Sequence, residues 1–221
     1  LKEFPYPDVT VKTLLNHRSG MRNYAYFTDR DKTAWDRHNI LTNQDILNIM
    51  ATKDIGLEFK TDTRFSYCNT NYAMLALIIE KITKLSYEKA MKQIIFEPLG
   101  MKNTYVFDYE RDKDSAVTSY KGNKVEIGLD YLDAVYGDKN IYSTPRDLLK
   151  FDRARNTPDF LTPEIISMVY TPYSNEHKGR KNYGLGIRMV NWETGQNFYF
   201  HNGWWHGNTS SYITLQKEGV T

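Results

Sequence analysis

Apolar residues recur at helical spacing through most of the first 170 positions and at a spacing of two beyond Tyr183. Thr10, Thr42, Thr144 and Thr162 each precede a helical pattern and can accept hydrogen bonds from its unpaired first-turn amides. Pro145 and Pro163 follow two of them, where a missing N–H costs nothing. The pattern predicts helices over 11–16, 44–50, 87–96, 145–154 and 163–170. A longer one over 70–83 is apolar on most sides (Tyr72, Leu75, Leu77, Ile78, Ile79, Ile82), the mark of a buried helix. Leu185, Ile187 and Met189, then Phe198 and Phe200, then Ile213 and Leu215 alternate as antiparallel strands. A Glu193-Thr194-Gly195 turn and a Gly-Trp-rich loop separate them. Helices followed by a block of strands predict an α+β domain over 1–221, mainly helical over 1–180, with strands of the sheet over 181–221. The polar stretch 108–123 predicts an exposed loop insertion.

Composition narrows the class. A 221-residue chain that is 40% hydrophobic, with 17 Tyr, 10 Phe and 4 Trp, can bury a core, which excludes a disordered or low-complexity protein. No run of about 18 uncharged apolar residues exists, so no helix of this chain spans a membrane. Lys and Arg number 29 against 27 Asp and Glu, with no basic run to track a phosphate backbone, so nucleic acid is excluded as a partner. Cys68, alone, forbids an intrachain disulfide and a Cys-rich zinc site. The opening Leu1-Lys2-Glu3-Phe4 has neither the basic nor the apolar region of a signal peptide, and the close at 215–221 reads as a strand entering the next one. Both ends therefore read as the interior of a longer protein.

Four constellations could carry chemistry. Tyr67 and Asn69 stand two apart before the long helix, so a phenol and a carboxamide could converge on one ligand; equally, Asn69 could cap the helix with Tyr67 packed beside it. His201-Asn202-Gly203-Trp204 ends a strand on which His201 shares a face with Tyr199 and Asn197, a polar face suited to a site. His201 and His206 are five apart and lack the helical spacing and the Glu of a zinc protease, while His17, His38 and His177 stand in unrelated contexts, so no metal and no cofactor is implied. Ser86-Tyr87-Glu88-Lys89 matches the Ser-x-x-Lys in which a lysine activates a serine nucleophile. Ser86 sits at an N-cap, however, and Lys89 and Lys92 fall on the exposed side of the helix, so capping is the reading. Tyr199, Trp204, Trp205 and Tyr212 could stack on a flat substrate or fill the space between sheet and helices.

Taken in order, the segments resemble a known family. Leu14-Leu15-Asn16-His17-Arg18-Ser19-Gly20-Met21 is similar to the "L-L-x-H-x-S-G-L" of class C β-lactamases and their penicillin-binding, esterase and D-peptidase relatives, and Phe65-Ser66-Tyr67-Cys68-Asn69 to "F-x-Y-S-N". Ile95-Phe96-Glu97-Pro98-Leu99-Gly100-Met101 resembles "I-F-x-P-L-G-M", Gly137-Asp138-Lys139-Asn140-Ile141-Tyr142-Ser143-Thr144 resembles "G-x-G-G-L-x-S-T", and His201-Asn202-Gly203 the "H-T-G" variant of the Lys-Thr-Gly strand.

The resemblance implies roles. Tyr67 would assist proton transfer to and from a nucleophilic serine, and Asn69 would bind the substrate's amide carbonyl. His201 would help bind a substrate carboxylate and tune the tyrosine, within a substrate-binding stretch that continues through Asn202 and Gly203. The backbone amide of Trp204 would supply half of an oxyanion hole. Cys68 stands where the family has Ser and is not read as a nucleophile.

Departures also carry information. The family's Ser-x-x-Lys lies several dozen residues ahead of the "L-L-x-H" segment, and among the sixteen residues before His17 there is no serine. Lys139-Asn140 replaces the family's Gly-Gly. The expectation is a core fragment, truncated at both ends, of a serine hydrolase that acts through an acyl-enzyme on amide or ester bonds: a β-lactam, a D-amino-acid peptide or an ester. The partner is a small-molecule or peptide substrate, a periplasmic or cell-envelope location is implied by the family alone, and oligomeric state is not legible. Two rivals are a non-catalytic relative serving as a ligand-binding or sensor module and, on aromatic content alone, a carbohydrate-binding domain.

Overall fold

Side-chain oxygens start the helices where the threonines predict them. Thr10 accepts from the Thr13 amide at 3.2 Å to open α1 (Val11–Leu15), and Thr42 from Asp45 at 3.2 Å to open α3 (Asn43–Thr52), with α2 (Tyr24–Arg30) between them. The long helix α4 (Asn69–Thr83) follows, then α5 (Tyr87–Met91), which Ser86 caps and which continues through one π-helical turn over Lys92–Phe96. The computed structural model describes residues 1–30, 34–205 and 207–221.

Short strands and two further helices complete the helical region. β1 (Tyr105–Val106) pairs with β4 (Ile141–Tyr142), and β2 (Ser119–Tyr120) with β3 (Glu126–Ile127), all antiparallel. Asp108 caps α6 (Tyr109–Asp112). The stretch 108–123 therefore holds a capped helical turn and a strand, and is not a bare loop. Thr144 and Thr162 cap α7 (Pro145–Arg155) and α8 (Pro163–Val169).

The sheet has four strands in the order β5 (Lys181–Tyr183), β6 (Arg188–Asn191), β7 (Asn197–Trp205) and β8 (Asn208–Thr214), each antiparallel to the next. Two expectations are corrected here. Positions 185–189 are not one strand, because the Gly184 amide bonds to Ile187 O at 2.8 Å and turns the chain between β5 and β6. A Cβ on Gly184 would lie 2.0 Å from Val169 O, so glycine lets this turn press against α8. The Gly-Trp segment is not a loop either: Gly203 and Trp204 pair with Ser210 and Thr209, and β7 runs to Trp205.

Buried Ala73, Met74 and Leu77 of α4 pack with Leu14 and with Ile46, Leu47 and Met50 of α3. A second cluster joins Ala76 to Tyr87, Phe96, Met101 and Val106. The buried face of α4 is narrower than its composition predicts, since Ile82 is 75% exposed. Asp152 of α7 fastens the helices to the sheet: it accepts from the Tyr212 hydroxyl at 2.6 Å, from Thr214 at 2.9 Å and from Arg155 Nη2 at 2.8 Å.

Candidate functional site

The site grows from a brace between two loops. Beyond α1 the chain turns at His17, whose φ of 57° is left-handed, and this directs the imidazole inward, where it is 1% exposed. His17 Nδ1 accepts from the Cys68 amide at 3.1 Å, and the Ser66 amide bonds to His17 O at 2.9 Å. The Asn71 amide group also lies 3.2 Å from Nδ1, and Ser19 donates to Asn71 Oδ1 at 2.6 Å. Because Nδ1 accepts a backbone N–H, the ring proton belongs on Nε2, which has no hydrogen-bond partner among the described residues. Burial, with His201 and Arg188 nearby, pulls the His17 pKa down to about 3. The His-x-Ser-Gly run is thus the clamp that presents Tyr67.

Tyr67 projects beside His17, ring centroids 4.3 Å apart, and remains 40% exposed. Burial pushes its phenol above the ordinary range, and the Arg188 guanidinium opposes that shift. Across from it stands His201 of β7, ring centroid 6.0 Å away. Both line a cavity of about 200 Å³ together with Tyr72, Gly137, Asp138 and Gly186.

His201 is held in one tautomer. Its Nδ1 lies 3.0 Å from Asn202 O, which can only accept, so Nδ1 carries the proton. Nε2 then accepts from the Tyr183 hydroxyl at 3.2 Å. Burial, then the nearby Arg188 charge, lowers the His201 pKa, which leaves the ring neutral at pH 7.

The remaining expected residues are spread over this neighbourhood. Asn69 is the first residue of α4 and not its cap; Cys68 holds the N-cap position without a side-chain bond. The Asn69 side chain makes no hydrogen bond among the described residues. Asn202 is engaged by the Ser211 hydroxyl at 2.9 Å, and Gly203 faces Ser210, whose Oγ would lie 2.4 Å from an added Cβ. Trp204 is 72% exposed. The four aromatics do not form one platform: Tyr199 packs on Tyr170, Tyr212 bonds Asp152, and Trp205 donates to Asp133 at 2.5 Å. Ser86 accepts from the Lys89 amide and is a cap. His206 lies outside the described residues, and no cluster of His, Cys, Asp or Glu able to hold a metal occurs among them.

Two features escape sequence reasoning. Arg188 of β6 sets its guanidinium 4.9 Å from the Tyr67 ring centroid. Behind the cavity, Tyr24 donates to Asp138 Oδ2 at 2.7 Å, and Lys139 Nζ donates to the Tyr24 hydroxyl at 2.7 Å. Burial pushes the Asp138 carboxyl up and Lys139 down. Asn140, where the family has glycine, adopts φ 73° and donates to Asp133 O and Val135 O, so an asparagine accepts the left-handed conformation and fixes the loop.

Helices packed on an antiparallel sheet, with a Tyr-x-Asn loop and a His-Asn-Gly strand beside one cavity, define the β-lactamase/transpeptidase-like class. The chain belongs to the Beta-lactamase family, whose model matches residues 2–219. It is 30% identical to penicillin-binding protein 4* of Bacillus subtilis (strain 168) over 230 residues, covering 96% of this chain and 50% of that protein. It is 28% identical to the teichoic acid D-alanine hydrolase of Staphylococcus aureus, covering 72% of this chain and 38% of that one. Among solved structures, the octameric penicillin-binding protein homologue from Pyrococcus abyssi superposes with a TM-score of 0.77 at 26% identity, covering 99% of this chain and 52% of that one. The chain spans about half the length of the first of these curated relatives, and less of the second.

Proposed function

We propose that this chain forms the substrate cleft and proton-transfer half of a serine hydrolase that acts through an acyl-enzyme on amide or ester bonds, such as a β-lactam, a D-amino-acid peptide or an ester. The observation that carries the reading is that Tyr67 and His201, far apart in sequence, line one cavity. The nucleophilic serine comes from a Ser-x-x-Lys segment preceding Leu1 in the whole protein. Tyr67 takes the serine proton as Oγ bonds the carbonyl carbon, then gives a proton to the departing amine or alcohol as the acyl bond breaks. Asn69 holds the substrate amide, Asn202 and Gly203 line its path, and the Trp204 amide meets the developing oxyanion. His201, a neutral imidazole, forms part of the wall of this cleft. The enzyme works in the cell envelope.

Incubating the whole protein with a fluorescent penicillin tests this. A single covalent adduct on a Ser-x-x-Lys serine, formed far more slowly in Tyr67→Phe, is expected. Absence of any adduct, with penicillin and with an activated serine-hydrolase probe alike, would make the chain a non-catalytic ligand-binding relative.

A further inference from the structure

An arginine that is half-buried without an anion is uncommon, because its desolvation is ordinarily offset by a carboxylate. Arg188 is such a residue: its side chain makes no hydrogen bond and no ion pair among the described residues. Aromatic faces surround it instead, with Cζ 4.9 Å from the Tyr67 ring centroid and 5.7 Å from that of Tyr183. Its backbone is fixed between two strands, paired with Tyr183 on one side and Phe200 on the other. A guanidinium so placed is attracted to the electron-rich ring, and more strongly to a ring bearing a phenolate.

We propose that Arg188 is a positioning residue for Tyr67 and supplies the fixed positive charge that favours loss of the phenol proton, the part that the family resemblance gives to His201. The inference rests on the proposed function for its purpose, though not for its test.

The other groups facing Tyr67 do not supply that charge. His17, from the turn after α1, is buried with Nδ1 occupied as an acceptor. His201, from β7, spends Nδ1–H on Asn202 O and Nε2 on Tyr183. Tyr72 of α4 donates to Leu15 O, and Tyr183 of β5 donates to His201. Asp138, from the loop before β4, works in the opposite sense, raising the Tyr67 pKa. Among the described residues Arg188 is therefore the permanent cation against this phenol, and Asp138 the anion that tempers it.

A fluorinated tyrosine placed at position 67 alone, in the full chain, titrates nearer neutrality and reports its ionisation by fluorine NMR. In Arg188→Met its midpoint should rise by roughly half a pH unit or more, the scale expected for removing a charge at this separation. Arg188→Lys should recover most of that rise. A cooperative melt establishes that each variant is folded, and Arg188→Gln stands in should the Met variant not fold. A midpoint unmoved by the neutral substitution, or moved equally by Lys, overturns the proposal. Because no turnover is measured, a protein that proves not to be a hydrolase leaves this result intact.

Discussion

The imidazole of His17 and the phenol of Tyr67 lie 4.3 Å apart, centroid to centroid, at a tilt of 39°. The turn that follows the first helix therefore supports the loop that leads into the longest one. That support holds Tyr67 at the surface by packing alone, since its hydroxyl makes no hydrogen bond among the described residues.

Tyr67→Phe should accordingly leave the melting temperature unchanged, because no hydrogen bond is lost. In the whole protein it should lower turnover by something like 10²-fold, the scale of a positioned proton-transfer group. Parallel thermal melts and steady-state kinetics separate the two effects, and full activity in the variant would remove Tyr67 from the mechanism.

His17 should make stability depend on acid. Its folded pKa is about 3, below the unfolded value of 6.5, so between those values the unfolded chain binds the proton that the folded chain refuses. The stabilisation is complete above about pH 6.5 and is lost progressively as the pH falls towards 3. Urea midpoints measured across that range should fall more steeply for the parent than for His17→Asn, which cannot titrate there.

Asp152→Ala should destabilise the chain by about 3 kcal/mol, because it leaves the buried Arg155 guanidinium without its anion and cuts α7 from β8. Denaturant unfolding reads the loss. Asp152→Asn should recover part of it by still accepting from Tyr212.

Ser86→Ala should cost about 1 kcal/mol, the worth of a lost N-cap. Penicillin labelling should be untouched by it. Residues 1–221 alone should take no label, and mass spectrometric recovery of an adduct on Ser86 would show that this serine is the nucleophile after all.

Helix starts were legible because a capping threonine acts on amides within three residues of itself, and all four such threonines cap. Strand limits were less so, because β6 begins only after the Gly184 turn, and that turn is seated by the Leu185 amide bonding to Val169 O at the end of α8. The same distinction governs the site. Tyr67 and His201 could be found because family motifs mark them. Arg188 lies in no motif, and its relation to Tyr67 exists only once β6 lies beside the loop that His17 braces. The Asp138-Lys139-Tyr24 group was hidden likewise, since nothing local in Gly137-Asp138-Lys139 announces a tyrosine from α2.

Cys68 is 3% exposed, and burial pushes its thiol pKa up to about 11. A sulfhydryl that stays protonated and out of reach is chemically silent. Since it is the single cysteine of these 221 residues, this chain is already a blank background for probe chemistry. Two cysteines introduced at exposed positions on opposite sides of the cleft, 204 being one, would be the thiols that maleimides and spin labels reach, so the distance between them becomes measurable without first deleting a native residue.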